Sequence, residues 1–358
     1  MARHLTFLRS GSRSETDAIR DYCGSVSTAL EARGRTVDSL DTTWPPPSFT
    51  DFCRALFHRD WKDRWCVLHY TAFLWSRRGL PLWLVPAFMR LKHGGARIAV
   101  RFHDPQGHPG SHAVHRARRL AQHALMRQLT RIADRTLHNV PLESIPWLPS
   151  GASHAAYIPV GSTIPPGQAQ WVPPSLAEKL SVAMFSMGTP ASFDNHVNLV
   201  CETLRLAAPR LSRPLKLLAF GRGMLETGPA LQTQLSPHGI DCEFHGLLSP
   251  EDTSRLLHRA QALLFVRGPI STQRTSVLAG VANAIPTVGY SGPETTGSIL
   301  NAGILTAGAS NASALADELV RVLSSDTLWH EMHERSLAAY AAHFSWDRIA
   351  ARYDELLP

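Results

Sequence analysis

Residues 263–290 read LLFVRGPISTQRTSVLAGVANAIPTVGY, and this order predicts a strand, a polar loop, a short helix, a proline turn and a second strand. The run Leu263–Val266 is short and apolar, as a buried parallel strand requires, and apolar residues recur at helical spacing within Ser276–Asn283. A strand-helix-strand unit of this kind is typical of an α/β fold. We therefore expect the chain to be organised around this unit.

The polar loop between the predicted strand and helix carries four hydroxyl side chains and one guanidinium. Free backbone N–H groups and the positive end of the helix dipole favour an anion at such a position. The sequence therefore predicts a phosphate site formed by Ser271, Thr272, Gln273, Arg274, Thr275 and Ser276. A capping loop, with Thr275 or Ser276 as the N-cap and Arg274 in a surface ion pair, explains the same residues equally well.

Length and composition indicate a folded two-domain protein. A chain of 358 residues exceeds one ordinary core, and 44% hydrophobic with 18% charged residues argues against long disordered segments. Five scattered cysteines without a Cys-x-x-Cys pair are typical of reduced thiols in a cytosolic protein. The amino terminus lacks a long apolar signal segment, and the apolar window Leu80–Leu91 is too short to span a bilayer. We therefore expect a cytoplasmic protein.

The net charge of +7 favours polyanionic partners such as sugar nucleotides, anionic lipid surfaces or nucleic acid. A helix expected from Val114 to Ala133 carries Arg119, Arg127 and Arg131 on one side. This stripe fits an acceptor-binding surface or peripheral contact with the inner face of an anionic membrane, and the alternative is a solvated helix face. Nucleic acid ranks last, and we expect no such partner, because aromatic residues are not interleaved with the stripe.

Two loops of the first half are expected to face a ligand. Strands are predicted at His4–Leu8 and Arg97–Phe102, and ligands of open α/β sheets bind outside the carboxyl ends of the strands. Gly11 and Ser12 follow the first strand and could approach a phosphate. His103 follows Phe102 and could hydrogen-bond a sugar hydroxyl or act as a general acid or base. A plain turn and a structural hydrogen bond are the respective alternatives.

Short motifs of the second half follow one another in a characteristic order. They are Gly221-Arg222-Gly223 after a strand, His245–Glu251 (HGLLSPE), Ala279–Val288 with its AIPTV ending, and Phe344-Ser345-Trp346. In this order and at these spacings the chain resembles the bacterial GT-B glycosyltransferases of the large retaining family 4. The first half matches more loosely, through Tyr70–Gly79, Phe102-His103-Asp104 and Ile158–Ser162.

The resemblance implies an α/β fold with two Rossmann-like domains that face each other across a cleft. It implies an acceptor domain over residues 1–165, a donor domain over residues 166–342, and a helix over residues 343–358 that packs back on the first domain. Residues 159–174 contain five prolines and no apolar periodicity, which predicts the interdomain linker there. The resemblance further implies a nucleoside diphosphate sugar as donor, no metal or other cofactor, and a retaining course. Besides the polar loop, the implied donor-binding residues are Gly11, Ser12, Gly188, Arg222, Gly246, Leu247 and Glu294.

The chain departs from the family pattern at the acidic residues. Family members usually carry two glutamates eight positions apart, and the corresponding residues here are Ser271 and Ala279. The usual Arg and Lys near the start of the second domain are also missing around Gly188, so we expect Arg222 and Arg274 to supply that charge.

We predict a glycosyltransferase that moves a sugar to a hydroxyl acceptor on a glycan, a lipid-linked molecule or a small molecule. The alternative is a catalytically degenerate GT-B protein that binds sugar nucleotides or a partner. A nucleotide-dependent epimerase or dehydrogenase is less favoured, because no Gly-x-Gly-x-x-Gly follows the first strand.

Overall fold

The computed structural model describes residues 4–10, 17–42, 49–167, 170–185 and 190–358, which fold into two compact units. Unit 1 comprises Met1–Pro159 together with Trp346–Pro358, and unit 2 comprises Val160–Ser345. Unit 2 begins before the expected residue 166, because Val160 already donates its backbone N–H to the carbonyl of Thr272 (3.3 Å).

Unit 1 is built on a six-stranded parallel sheet with the order β2-β1-β3-β4-β5-β6. Its strands are β1 (His4–Ser10), β2 (Thr36–Thr42), β3 (Arg64–Tyr70), β4 (Arg97–Phe102), β5 (Arg135–His138) and β6 (Ala155–Tyr157). Its helices are α1 (Ala18–Ala32), α2 (Phe49–Phe57), α3 (Ala72–Trp75), α4 (Leu84–His93), α5 (Ala113–Ile132) and α12 (Trp346–Leu356). Strands β3 and β4 are almost wholly buried, as helices on both faces of a parallel sheet require.

Unit 2 is also built on a six-stranded parallel sheet, but its strand order, β12-β11-β10-β7-β8-β9, differs from that of unit 1 by one strand. Its strands are β7 (Leu180–Phe185), β8 (Leu215–Phe220), β9 (Asp241–His245), β10 (Ala262–Leu264), β11 (Thr287–Tyr290) and β12 (Ile304–Ala307). Its helices are α6 (Pro190–Ala207), α7 (Met224–Leu235), α8 (Pro250–Leu257), α9 (Thr275–Ala282), α10 (Ala312–Leu323) and α11 (Asp326–Ala339). This is the Rossmann strand order, and the predicted α/β class with two Rossmann-like halves is confirmed.

The last helix of the chain, α12, packs on α1 in unit 1. The hydroxyls of Tyr22 and Tyr353 lie 3.1 Å apart in the buried interface. Arg33 donates to Asp354 (2.7 Å), and the indole N–H of Trp65 donates to the carbonyl of Pro358 (3.0 Å). Unit 1 is therefore assembled from two separated segments of the sequence.

Local sequence signals placed many elements correctly. Ser249 caps α8, because its Oγ accepts the backbone N–H of Asp252 (3.0 Å). The expected helix from Val114 spans Ala113–Ile132. Among the described residues, no helix has the length and apolar character needed to cross a bilayer.

Candidate functional site

Each sheet has a point at which the strand order reverses. In unit 1 it lies between β1 and β3, and in unit 2 between β7 and β10. The loops at the carboxyl ends of these strands form the crevice in which open α/β sheets bind ligands. Three predicted site residues in these loops, Gly11, Ser12 and Gly188, lie outside the described residues.

The loop from β10 to α9 is fixed against the neighbouring strand. Phe265 and Ile270 donate backbone N–H groups to β11 at 2.8 and 2.9 Å. Gly268 has a φ of 117°, in the left-handed region, and a Cβ added there would lie 2.9 Å from Nη2 of Arg274. The glycine therefore lets the Arg274 guanidinium lie directly over the loop backbone.

Helix α9 begins without a capping side chain. Arg274 occupies the N-cap position, and no side chain of the described residues accepts a hydrogen bond from the first turn. The capping interpretation, with Thr275 or Ser276 as the N-cap, is therefore wrong. Both residues lie inside the helix because the chain already turns helical after Arg274. The first N–H groups and the positive end of the helix are left for a ligand.

Two guanidinium groups share this loop. Within the described part of the chain Arg274 has no carboxylate partner, and its buried Nε has no hydrogen bond. Burial, and after it the charge of Arg274, lower the pKa of Arg267. Two like charges held together favour an anion beside them. Sequence reasoning missed Arg267, although a cation directly after an apolar strand was the available signal.

The side chains of Ser271 and Thr272 do not reach the surface. Both are 0% exposed, and Oγ of Ser271 has no hydrogen-bond partner among the described residues. Gln273 donates its amide N–H to Glu294 (2.6 Å). The expected row of four hydroxyls at the helix start is therefore reduced to Thr275 and Ser276, because the first two residues pack beneath the loop.

The loops after β8 and β9 carry the other predicted donor residues of unit 2. Gly221 donates its backbone N–H to the carbonyls of His245 (3.2 Å) and Gly246 (3.0 Å), which ties the two loops together. Arg222 is exposed beside them, and Leu247 is 69% exposed. These residues lie on the same carboxyl edge of the sheet as the β10 to α9 loop.

His103 follows β4 in unit 1 and is half-buried. Its backbone N–H donates to the carbonyl of Tyr70 (3.0 Å), and Asn139 donates to its carbonyl (2.9 Å). Its ring Nε2 lies 2.9 Å from Nδ1 of His69. His69 lies within β3, directly opposite Arg101 of β4 in the parallel register. Sequence reasoning missed His69 because only the register brings these residues together.

Arg101 places a permanent charge beside the two histidines. The side chain is 0% exposed, and its Nη2 donates to the carbonyl of Pro159 (3.3 Å). Its Cζ lies 5.2 Å from the centre of the Tyr22 ring, while Nε and Nη1 have no partner in the described residues. Burial, and after it Arg101, lower the pKa of His103 to about 3. Burial, then His103 and Arg101, hold the pKa of His69 well below its usual value.

Both imidazoles are therefore neutral near pH 7. A neutral His103 has no proton to spare as an acid at the start of a reaction, and its remaining capacity is to donate or accept a hydrogen bond. The described residues bring no cluster of three metal-ligating side chains together.

Two of the three predicted surface arginines of α5 are engaged by carbonyl groups. Arg119 donates to the carbonyl of Gly110 (3.2 Å), and Arg127 donates to the carbonyl of Trp147 (2.9 Å). Arg131 is exposed. The predicted stripe is therefore interrupted, because carbonyls of the loop before α5 and of the segment between β5 and β6 bind two of its arginines.

No protein-family model matches the chain, and no curated protein sequence matches it either. Similar solved structures cover almost the whole chain. A glycosyltransferase from Rickettsia africae has a TM-score of 0.65 at 12% identity, over 99% of this chain and 97% of that chain. Sucrose-phosphate synthase from Thermosynechococcus elongatus has a TM-score of 0.65 at 13% identity, over 99% and 98%. Alr3699/HepE from Anabaena, solved with UDP and glucose, has a TM-score of 0.63 at 13% identity, over 99% of both chains.

These similarities establish the fold. The chain has the GT-B fold, with two Rossmann-like α/β units, and its structural neighbours are GT-B glycosyltransferases. At 12 to 13% identity the reaction does not follow from the fold alone.

Proposed function

We propose that the protein is a glycosyltransferase that moves a sugar from a nucleoside diphosphate sugar to a hydroxyl acceptor. The observation that carries the proposal is the uncapped start of α9, over which Arg274 lies without a carboxylate partner in the described residues. A diphosphate gains negative charge as it leaves the sugar. Helix N–H groups and a preorganised guanidinium stabilise such charge most effectively where it develops.

Arg267 and Arg222 add positive charge on the same edge of unit 2. Burial and the charge of Arg274 lower the pKa of Arg267, so an anionic ligand would relieve the repulsion between the two groups. One guanidinium can also donate two parallel hydrogen bonds to phosphate oxygens, and this fixes the orientation of the leaving group. We propose that these cations neutralise the diphosphate without a bound metal or other cofactor.

The acceptor is proposed to bind in unit 1, near His103. A neutral imidazole beside a buried Arg101 forms directed hydrogen bonds to a hydroxyl without attracting stray anions of its own. The resemblance to retaining enzymes supports a retaining course. In this scheme the departing diphosphate accepts the proton of the attacking hydroxyl.

A catalytically degenerate protein that only binds sugar nucleotides is the alternative. The observation that favours it lies at the two positions where the family usually carries glutamates. Ser271 and Ala279 are both 0% exposed, and Ala279 packs among apolar side chains that include Leu263 and Ile285. A carboxylate at position 279 would be buried in that apolar cluster.

The first experiment is calorimetric titration with UDP, GDP and dTDP, followed by incubation with the corresponding sugars and a panel of hydroxyl acceptors. Arg274→Gln is expected to raise the dissociation constant of the preferred nucleotide roughly tenfold to a hundredfold, as the loss of a charged hydrogen bond implies. Arg205→Gln removes an equal charge from an exposed pair with Glu202 elsewhere in unit 2 and serves as the control. Unchanged affinity in Arg274→Gln would refute the site.

Turnover separates the two functions. Release of nucleoside diphosphate together with a glycosylated acceptor supports the transferase. Tight nucleotide binding without hydrolysis or transfer across the donors and acceptors would favour the binding protein.

We also propose that the protein works in the cytoplasm and contacts the inner face of an anionic membrane through unit 1. Residues 71–133 contain eleven lysines and arginines but one acidic residue, Asp104. The exposed large apolar side chains of the described part of unit 1 all fall in the same segment: Phe73, Leu82, Met89, Val114 and Leu120. Basic side chains interspersed with exposed apolar ones are typical of surfaces that lie in the lipid headgroup region.

This contact is tested with vesicles of phosphatidylcholine alone and with added phosphatidylglycerol. Replacing Arg77, Arg78 and Arg116 by Gln removes exposed charges that have no carboxylate partner in the described residues, and is expected to weaken binding to the anionic vesicles. The control replaces three exposed arginines of unit 2, Arg205, Arg255 and Arg321. Equal binding by the two triple variants would contradict the proposed surface.

A further inference from the structure

The rings of His69 and His103 in unit 1 meet end to end through their nitrogens. Nδ1 of His69 and Nε2 of His103 are 2.9 Å apart, while the ring centroids are 5.2 Å apart and the ring planes differ by 27°. Rings that overlapped face to face at this N···N distance would have closer centroids. The hydrogen bond therefore runs close to both ring planes, where the N–H bond and the lone pair of imidazole point. Because both rings are neutral, one of these two nitrogens carries the proton and the other accepts it.

Two arrangements satisfy this requirement. In the first, Nδ1–H of His69 donates to Nε2 of His103. In the second, Nε2–H of His103 donates to Nδ1 of His69, and His69 must then carry its own proton on Nε2. The thiol of Cys23 lies 3.3 Å from Nδ1 of His69 and accommodates either arrangement, since it donates weakly and accepts weakly.

The surroundings of Nε2 of His69 decide between the two. This atom is buried and has no hydrogen-bond partner among the described residues. A buried N–H group without an acceptor is rare and costly, whereas in the first arrangement the same atom holds only a lone pair. The first arrangement avoids a buried donor with nothing to bind.

We propose that His69 is a positioning residue that holds His103 in the Nδ1–H tautomer, so that His103 offers a hydrogen-bond donor to an oxygen of the ligand. Nδ1 of His103 has no partner in the described part of the protein and is not among its buried atoms, so the donor is open to a ligand. Under the proposed function that oxygen belongs to a sugar or acceptor hydroxyl. His103 then orients the oxygen and does not remove its proton.

Nitrogen NMR of the ¹⁵N-histidine-labelled full chain tests the proposal without any substrate. Protonated and unprotonated ring nitrogens resonate in separate regions, and His69→Gln and His103→Gln assign the two residues among the 18 histidines. We expect protonated Nδ1 and unprotonated Nε2 in both rings. A proton on Nε2 of His103 in the wild-type protein would overturn the proposal.

The variants separate tautomer control from general damage to the fold. In His69→Phe the ring of His103 is expected to shift towards the Nε2–H form, which free imidazole side chains favour, while His69→Gln restores the Nδ1–H form because its amide can donate to Nε2. His138→Phe removes another 0% exposed histidine of the same sheet and is expected to leave the tautomer of His103 unchanged. A shift in His138→Phe as large as that in His69→Phe would contradict a specific role for His69.

Kinetics distinguish failure of this inference from failure of the proposed function. If transfer is observed, His69→Phe is expected to lower kcat roughly tenfold, as loss of one oriented hydrogen bond implies, with little change in the KM for the donor. Absence of transfer with the expected tautomer would refute the transferase and leave the inference standing. If the tautomer of His103 shifts in His69→Phe while kcat stays unchanged, the Nδ1–H group of His103 has no role in turnover.

Discussion

The two carboxyl edges carry opposite kinds of polar groups. The edge of unit 2 presents the guanidinium groups of Arg267 and Arg274 beside an uncapped helix. The edge of unit 1 presents the neutral ring of His103, backed by His69 and by Arg101, which is fully buried. A charge near solvent attracts an anion, and this attraction weakens as salt is added. A buried neutral pair instead fixes the direction of a hydrogen bond. The two units thus present a cationic edge and a neutral hydrogen-bonding edge, which suit the proposed diphosphate and hydroxyl ligands respectively.

The largest expected effect is on the stability of unit 1, which depends on the packing of Tyr353 from α12. Tyr353→Ala removes a 0% exposed aromatic side chain that packs beside Phe7 and Tyr22, and is expected to destabilise unit 1 by about 3 to 5 kcal/mol. Hydrogen exchange measured by mass spectrometry should show faster exchange in unit 1 peptides. Tyr353→Phe, which loses only the hydroxyl contact, should cost about 1 kcal/mol. Equal acceleration in both units would show that their stabilities are not separable.

The second expected difference is in how the stability of each unit responds to acid. His69, His103 and His138 have folded-state pKa values below the usual value of about 6.5, so the unfolded state binds more protons below that pH. Unit 1 should therefore lose stability as the pH falls below about 6.5, by up to about 1.4 kcal/mol per pH unit for each histidine.

In unit 2 the described acidic groups with lowered pKa values are carboxylates that accept hydrogen bonds from other side chains. The hydrogen bond from Arg259, followed by those from Lys216 and His245, lowers the pKa of Glu243. The ionised Glu243 therefore stabilises unit 2 above the usual carboxylate pKa, and this stabilisation is lost only as the pH falls below about 4.5. Hydrogen exchange at pH 7 and pH 5.5 compares the two units, and we expect unit 1 to lose protection first. Loss of protection in unit 2 before unit 1 would contradict this prediction.

A third test acts on the unit 2 loop. Gly268→Ala forces a Cβ to within 2.9 Å of Nη2 of Arg274 and places alanine at a positive φ, which should cost about 1 to 2 kcal/mol of stability and displace the guanidinium. Gly239→Ala is the matched control, because Gly239 also has a positive φ but nothing within 4 Å of the added Cβ. Weaker nucleotide binding is expected in the first variant only. Equal affinities would place the anion elsewhere.

The smallest expected effect concerns the buried charge of unit 1. Arg101→Met replaces a guanidinium that has no carboxylate partner in the described residues, and is expected to raise stability by about 1 kcal/mol. It should also raise the pKa of His103, although burial, the larger cause, keeps that pKa below its usual value. Thermal denaturation and NMR titration measure both quantities. A loss of several kcal/mol would mean that Arg101 is compensated within the fold.

Local patterns predicted much of the fold. The expected bounds of β4 match residue for residue, because its largely apolar run ends at the bend that begins with His103. Strand β12 was missed, since Ile304–Ala307 is short and shows little alternation. Strand β6 was missed for the same reason, because it has only 3 residues.

The residues of the candidate site were predictable only where their position next to a predicted strand or helix indicates their location. His103 stands directly after an expected strand, and Arg274 ends the loop between an expected strand and the helix that follows it, so their places at the carboxyl edges could be inferred. The pairing of His69 with His103 depends on the register of β3 against β4, which residues 34 positions apart do not reveal. Burial of Ser271 depends likewise on packing beneath the loop, and no polar pattern signals it.

The position of α12 sets an order of events during translation. Unit 2 is one continuous segment, whereas unit 1 lacks the partners of Tyr22, Arg33 and Trp65 until residues 346–358 have left the ribosome. The apolar face of α1 that receives α12 must therefore stay exposed while the whole of unit 2 is made. The half of the protein synthesised first is therefore finished last, and until then it exposes apolar surface of the kind that makes folding intermediates prone to aggregate.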